Sequence, residues 1–104
     1  MSKVLYPNKS EFELLLKNEK TIFVDFFATW CGPCKMLGPE IDKLAEEVGD
    51  EIKIVKIDID KERELADLYN VQSIPNLFVF KDGKVIDRQL GYQAYPQLKA
   101  MLEK

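Results

Sequence analysis

Apolar residues change their spacing along this chain, and the changes mark out its elements. Phe12, Leu15 and Leu16 fall at helical intervals. Two overlapping start signals precede them: Ser10 with Glu13 fits a capping box, and Asn8 is an alternative cap. Thr21–Ala28, reading TIFVDFFA, is a short and nearly continuous apolar run, the pattern of a strand covered on both faces. Strand alternation sets Phe23, Asp25 and Phe27 on one face and Ile22, Val24, Phe26 and Ala28 on the other. Leu37, Ile41, Leu44, Ala45 and Val48 then make one buried helical stripe, with Gly49 as its expected stop. Pro39 inside that stretch removes a backbone hydrogen bond and predicts a kink, and Gly38 before it loosens the turn further.

Ile52–Ile59 alternates again and reads as a strand, and Glu62–Tyr69 as a short helix. Leu77–Phe80 and Val85–Leu90 flank Asp82-Gly83, a strong hairpin signal. Pro96 suits the first turn of a last helix carrying Leu98, Met101 and Leu102. The order is αβαβαββα, with a small leading strand at Val4-Leu5. Strands alternating with helices predict an α/β fold: a parallel core, an antiparallel edge from the hairpin, and a mixed sheet of four to five strands flanked by four helices. No linker, repeat or low-complexity segment interrupts it, so residues 1–104 are expected to form one domain.

Composition narrows the function. The chain is 46% hydrophobic and 32% charged, as globular domains are. Its 15 basic and 18 acidic side chains alternate in sign and leave a net charge of −3, without the basic block that a nucleic-acid face requires. The opening MSKVLYPNKS has no apolar signal region and no apolar run is of membrane-spanning length, which predicts a soluble, cytoplasmic protein. Histidine is absent, so imidazole acid–base chemistry and Cys–His couples are excluded.

The two cysteines, Cys31 and Cys34, stand in FATWCGPCK where a strand gives way to a helix. Two cysteines without histidine do not close a tetrahedral zinc site in one chain. Lys35 stands where c-type haem attachment needs histidine. An inert, buried pair is the plainer alternative. Placement favours reactivity instead. Pro33 in a first helical turn needs no partner for its missing N–H. Cys31 then lies beside unpaired backbone N–H groups at the positive end of the helix dipole, which stabilise a thiolate. Cys34 falls one turn deeper, within reach of Cys31 and less open to solvent, as thiol–disulfide exchange requires.

WCGPC at residues 30–34 resembles the active-site motif of the thioredoxin family, and the resemblance runs through VDFFATWCGPCKMLGP, VKIDID, SIPNLFVFKDG and Gly91, in the family's order and spacing. It implies the thioredoxin fold and a general protein-disulfide reductant. In that role Cys31 attacks a substrate disulfide and Cys34 resolves the mixed disulfide. Asp25 matches the family's buried aspartate, which relays protons to the resolving cysteine, and Lys56 the lysine that tunes it. Pro75 matches a cis-proline facing the cysteines, with the backbone of Ile74 pairing with the substrate chain. Trp30, Gly32, Pro33 and Gly91 complete the implied substrate rim. No bound cofactor and no metal are expected; the implied partners are disulfide-containing client proteins and a thioredoxin reductase, with the protein itself a monomer. Asn76 and Phe27 depart from the threonine and tryptophan of many relatives. An oxidant or isomerase on the same fold, and a scaffold subunit indifferent to its thiols, are the competing readings.

Overall fold

In the computed structural model, which describes residues 2–104, strand β1 (Val4–Leu5) leads into helix α1 (Lys9–Asn18) and strand β2 (Thr21–Phe27). Helix α2 (Gly32–Glu47), strand β3 (Ile52–Asp58) and helix α3 (Arg63–Leu68) follow. Strands β4 (Asn76–Lys81) and β5 (Lys84–Leu90) precede helix α4 (Tyr95–Leu102). The five strands form one sheet in the order β1-β3-β2-β4-β5. β3 runs parallel to β1 and β2, whereas β4 is antiparallel to β2 and β5. This is the mixed sheet with four helices that the apolar pattern predicts.

β2 is central and covered on both sides, which is why its sequence is apolar at almost every position. One face, with Phe23, Ile54, Leu77 and Val79, packs on the stripe Leu37, Ile41, Leu44 and Ala45 of α2 and on Leu98 and Met101 of α4. The opposite face, with Ile22, Val24, Phe26, Val55, Ile57, Phe78 and Phe80, packs on Phe12 of α1 and Leu65 of α3. Phe12, Phe26, Tyr69, Phe78 and Phe80 there form a cluster of mostly edge-to-face rings with centroids 5.3 to 6.2 Å apart.

Several boundaries differ from the sequence reading. Asn8, not Ser10, caps α1: its side chain accepts from the Glu11 N–H at 2.9 Å, and the Glu11 carboxylate accepts from the Asn8 N–H at 2.8 Å. α2 ends at Glu47 with Val48 extended as its cap, so the chain departs before Gly49, which takes no left-handed turn. Pro39 is accommodated within a continuous α2. The hairpin is as predicted: Asp82 (φ 52°) and Gly83 (φ 79°) take the two positive φ angles of a type I′ turn. α4 has no side-chain cap of its own. Glu40 of α2 supplies one, accepting from the Tyr95 N–H at 2.9 Å.

Candidate active site

The cysteine pair sits where β2 hands over to α2. Cys31 is the N-cap of that helix, Gly32 and Pro33 occupy its first positions, and Cys31 and Cys34 are joined as a disulfide. The Cys34 N–H donates to Cys31 Sγ at 3.2 Å. A helix start carries N–H groups without intrahelical acceptors and the positive end of the dipole. Here the cysteine sulfur fills the place that a serine or aspartate oxygen takes in ordinary caps. The geometry therefore lowers the cost of negative charge on Cys31 Sγ.

The expected contrast in exposure between the cysteines is slight. Cys31 is 6% and Cys34 4% exposed, because Phe27, Ile59 and Ile74 pack against the pair together with Ala28. What stays open is the approach from Gly32 and Pro33, both exposed. Cys34 also lines a shallow cavity of about 370 Å3 with Phe27, Lys35 and Lys56. A groove of about 320 Å3 beside α1, lined by Leu5, Tyr6, Leu14 and Leu15, shares no residue with it.

Asp25 lies on the α2 side of β2, opposite Leu77 of β4 and Lys56 of β3. It is fully buried, and neither carboxylate oxygen has a hydrogen-bond partner among the described residues. Loss of hydration pushes its pKa up to about 7, and the Lys56 charge pulls it partly back. Lys56 is half-buried, with Nζ 4.7 Å from the centre of the Phe27 ring. No ion pair joins the two within 4.0 Å among the described residues. Phe27 thus carries the lysine along its face. A carboxyl group with pKa near neutrality is suited to taking and returning a proton at working pH.

Across from the cysteines, the Ile74–Pro75 peptide bond is cis. The Ile74 carbonyl oxygen lies 3.9 Å from Cys31 Sγ. Gly91, with φ 83°, donates its N–H to the Pro75 carbonyl at 2.8 Å, so the chain after β5 is tied to the same loop. Trp30 is 67% exposed and not core. Its indole N–H donates to the Asp60 carboxylate at 2.7 Å. Trp30 to Cys34 thus run together into the start of α2, the Ile74 carbonyl faces Cys31, and Gly91 is tied to Pro75. Lys56 lines the cavity beside Cys34 and pairs in register with Asp25. Asp60 has no signature in the sequence, since nothing local marks its pairing with a residue 30 positions away. Among the described residues no cluster of three or more His, Cys, Asp or Glu side chains could hold a metal ion, and no helix is long and apolar enough to cross a membrane.

The family model described as Thioredoxin matches residues 3–104. Over 87 residues the chain is 45% identical to a thioredoxin of Bacillus subtilis (strain 168), covering 84% of each chain. A thioredoxin of Haemophilus influenzae is 41% identical over 99 residues, covering 94% of this chain and 92% of its own. Among solved structures, a mutant thioredoxin from Halobacterium salinarum NRC-1 superposes with a TM-score of 0.89 at 34% identity, covering 97% of this chain and 88% of the other.

Proposed function

The chain belongs to the thioredoxin family and is a protein-disulfide oxidoreductase working by dithiol–disulfide exchange, and on that premise we propose that Cys31 attacks, Cys34 resolves and Asp25 moves the proton between steps. The Cys31 thiolate attacks one sulfur of a substrate disulfide, and the other substrate sulfur leaves and is protonated. Cys34 then gives its proton through water to the Asp25 carboxylate and attacks Cys31 Sγ. The second substrate sulfur departs and takes up a proton. Two electrons have passed to the substrate, and the Cys31–Cys34 disulfide remains.

The observation that carries this reading is the N–H of Cys34 pointing at Cys31 Sγ across 3.2 Å. That donor stabilises a thiolate on Cys31 and none on Cys34, so it separates the two roles. Asp25, near half ionisation at neutral pH, supports the proton step, and Lys56 holds its pKa from rising further. Trp30, Gly32, Pro33, Ile74, Pro75 and Gly91 form the surface against which a client protein lies. Residues 1–104 act as one domain and as a monomer in the cytoplasm, re-reduced by a thioredoxin reductase, with no bound cofactor.

The test is a trapping experiment with a disulfide-containing protein such as insulin. Cys34→Ser is expected to accumulate a mixed disulfide at Cys31, identified by mass after digestion. Cys31→Ser is expected to accumulate none. An adduct at Cys34 forming as fast as the one at Cys31 would reverse the roles.

A further inference from the structure

Between α3 and β4 the chain must carry Ile74–Pro75 to the cysteines, and the two ends of that segment are tied to one side chain. α3 closes with Asn70 in a left-handed conformation (φ 54°). The Asn70 N–H donates to the Asp67 carbonyl at 3.1 Å, and the Val71 N–H to the Ala66 carbonyl at 2.9 Å. These are the paired bonds of a Schellman turn, with asparagine in the position usually held by glycine. That turn leaves the Asn70 carbonyl free, and Arg88 Nη2 of β5 donates to it at 3.0 Å.

Arg88 also reaches the other end. Its Nε donates to Asn76 Oδ1 at 3.3 Å. Arginine has only donors to offer, so the amide atom facing it is the oxygen. Asn76 is fully buried and immediately follows Pro75. The guanidinium carbon lies 4.6 Å from the centre of the Phe78 ring, which fixes the plane of the fork. Between these anchors, the Ile74 peptide makes no backbone hydrogen bond among the described residues, while its carbonyl faces Cys31 Sγ. An unpaired N–H, and a carbonyl facing the reactive sulfur, are groups that an extended substrate chain would pair with.

We propose that Arg88 is a positioning residue for protein substrates: by bridging Asn70 and Asn76 it holds the unpaired Ile74 peptide in register with Cys31. This rests on the reading of Ile74–Pro75 as part of the client-binding surface. Asn76 takes part in this bridge through its amide oxygen alone; its Nδ2 has no partner among the described residues. Arg88 touches neither cysteine, so small disulfides that need no backbone pairing are indifferent to it.

The experiment compares Arg88→Met and Arg88→Lys with the parent, recycled by dithiothreitol, on insulin and on hydroxyethyl disulfide. Arg88→Met keeps an apolar stem over Phe78 and loses both hydrogen bonds. It is expected to raise KM for insulin on the order of tenfold with kcat held. Its rate with hydroxyethyl disulfide and its reduction potential stay at parental values. Arg88→Lys keeps the charge and the stem, so it folds even if Arg88→Met does not; a single ammonium satisfies one anchor and gives an intermediate KM. An insulin KM at the parental value in folded Arg88→Lys and Arg88→Met overturns the proposal. So does an equal loss on both disulfides, which marks a general structural role. A parent that shows no preference for insulin overturns the proposal together with the reading of Ile74–Pro75 beneath it.

Discussion

Replacing Asp25 by asparagine is expected to stabilise the protein, by an amount that grows with pH. Asp25 is buried without hydrogen-bond partners and has its pKa raised from 3.8 to about 7, first by desolvation and against the pull of Lys56. Below pH 3.8 both folded and unfolded chains hold the proton, and burial of a charge costs nothing. Between 3.8 and about 7 the unfolded chain ionises while the folded one stays neutral, so stability falls as pH rises. Above about 7 the folded carboxyl is ionised too, and the penalty is complete. The gap between 3.8 and about 7, at ~1.4 kcal/mol per unit, makes the full penalty about 4 kcal/mol. Asparagine does not titrate and occupies nearly the same volume. The assay is guanidinium unfolding of the oxidised parent and of Asp25→Asn at pH values from about 4 to about 8, followed by far-ultraviolet circular dichroism. The stability difference between the two proteins cancels every other titrating group. It is expected to rise by several kcal/mol up to neutrality and then level off. A difference that stays constant with pH, or a variant less stable than the parent near pH 8, would refute the buried-carboxylate argument.

Three further outcomes follow from the same geometry. Lys56→Met removes the charge that lowers the Asp25 pKa, so the Asp25 titration, followed by carboxyl carbon NMR, moves above about 7; movement downward would contradict it. The same variant is expected to slow resolution of the mixed disulfide at neutral pH and not its formation, read by stopped-flow mixing with a single protein disulfide. Asn8→Ala removes the reciprocal cap of α1 and is expected to cost ~1 kcal/mol in chemical denaturation, whereas Ser10→Ala costs a small fraction of that.

The sheet was legible because burial writes itself into spacing. β2 could be read as a strand covered on both faces from the nearly continuous apolar run Thr21–Ala28, and the interruption of that run at Asp25 marked a buried carboxyl group. The cysteine site was legible for a local reason as well: a strand end, a proline and a helix start are short-range features. Boundaries were less so, since Asn8-to-Glu11 and Ser10-to-Glu13 satisfy the same cap spacing, and the structure forms the first. Pairings across the fold left no trace in the chain. Glu40 capping Tyr95, Asp60 holding Trp30 and Arg88 bridging Asn70 to Asn76 join residues 55, 30, 18 and 12 positions apart. The exposure of the cysteines escaped prediction for the same reason, because Ile59 and Ile74 reach the pair from other elements. The place of Ile74–Pro75 beside Cys31 came from family resemblance and not from any residue pattern.

The central claim is that Cys31 and Cys34 form a reducing couple. Its most direct test is the equilibrium of that pair against graded mixtures of reduced and oxidised dithiothreitol, read by fluorescence of Trp30 and by thiol alkylation. A reduction potential near the thioredoxin value of about −270 mV is expected. One between roughly −180 and −120 mV would place the protein with isomerases and oxidants and contradict its assignment as a reductant.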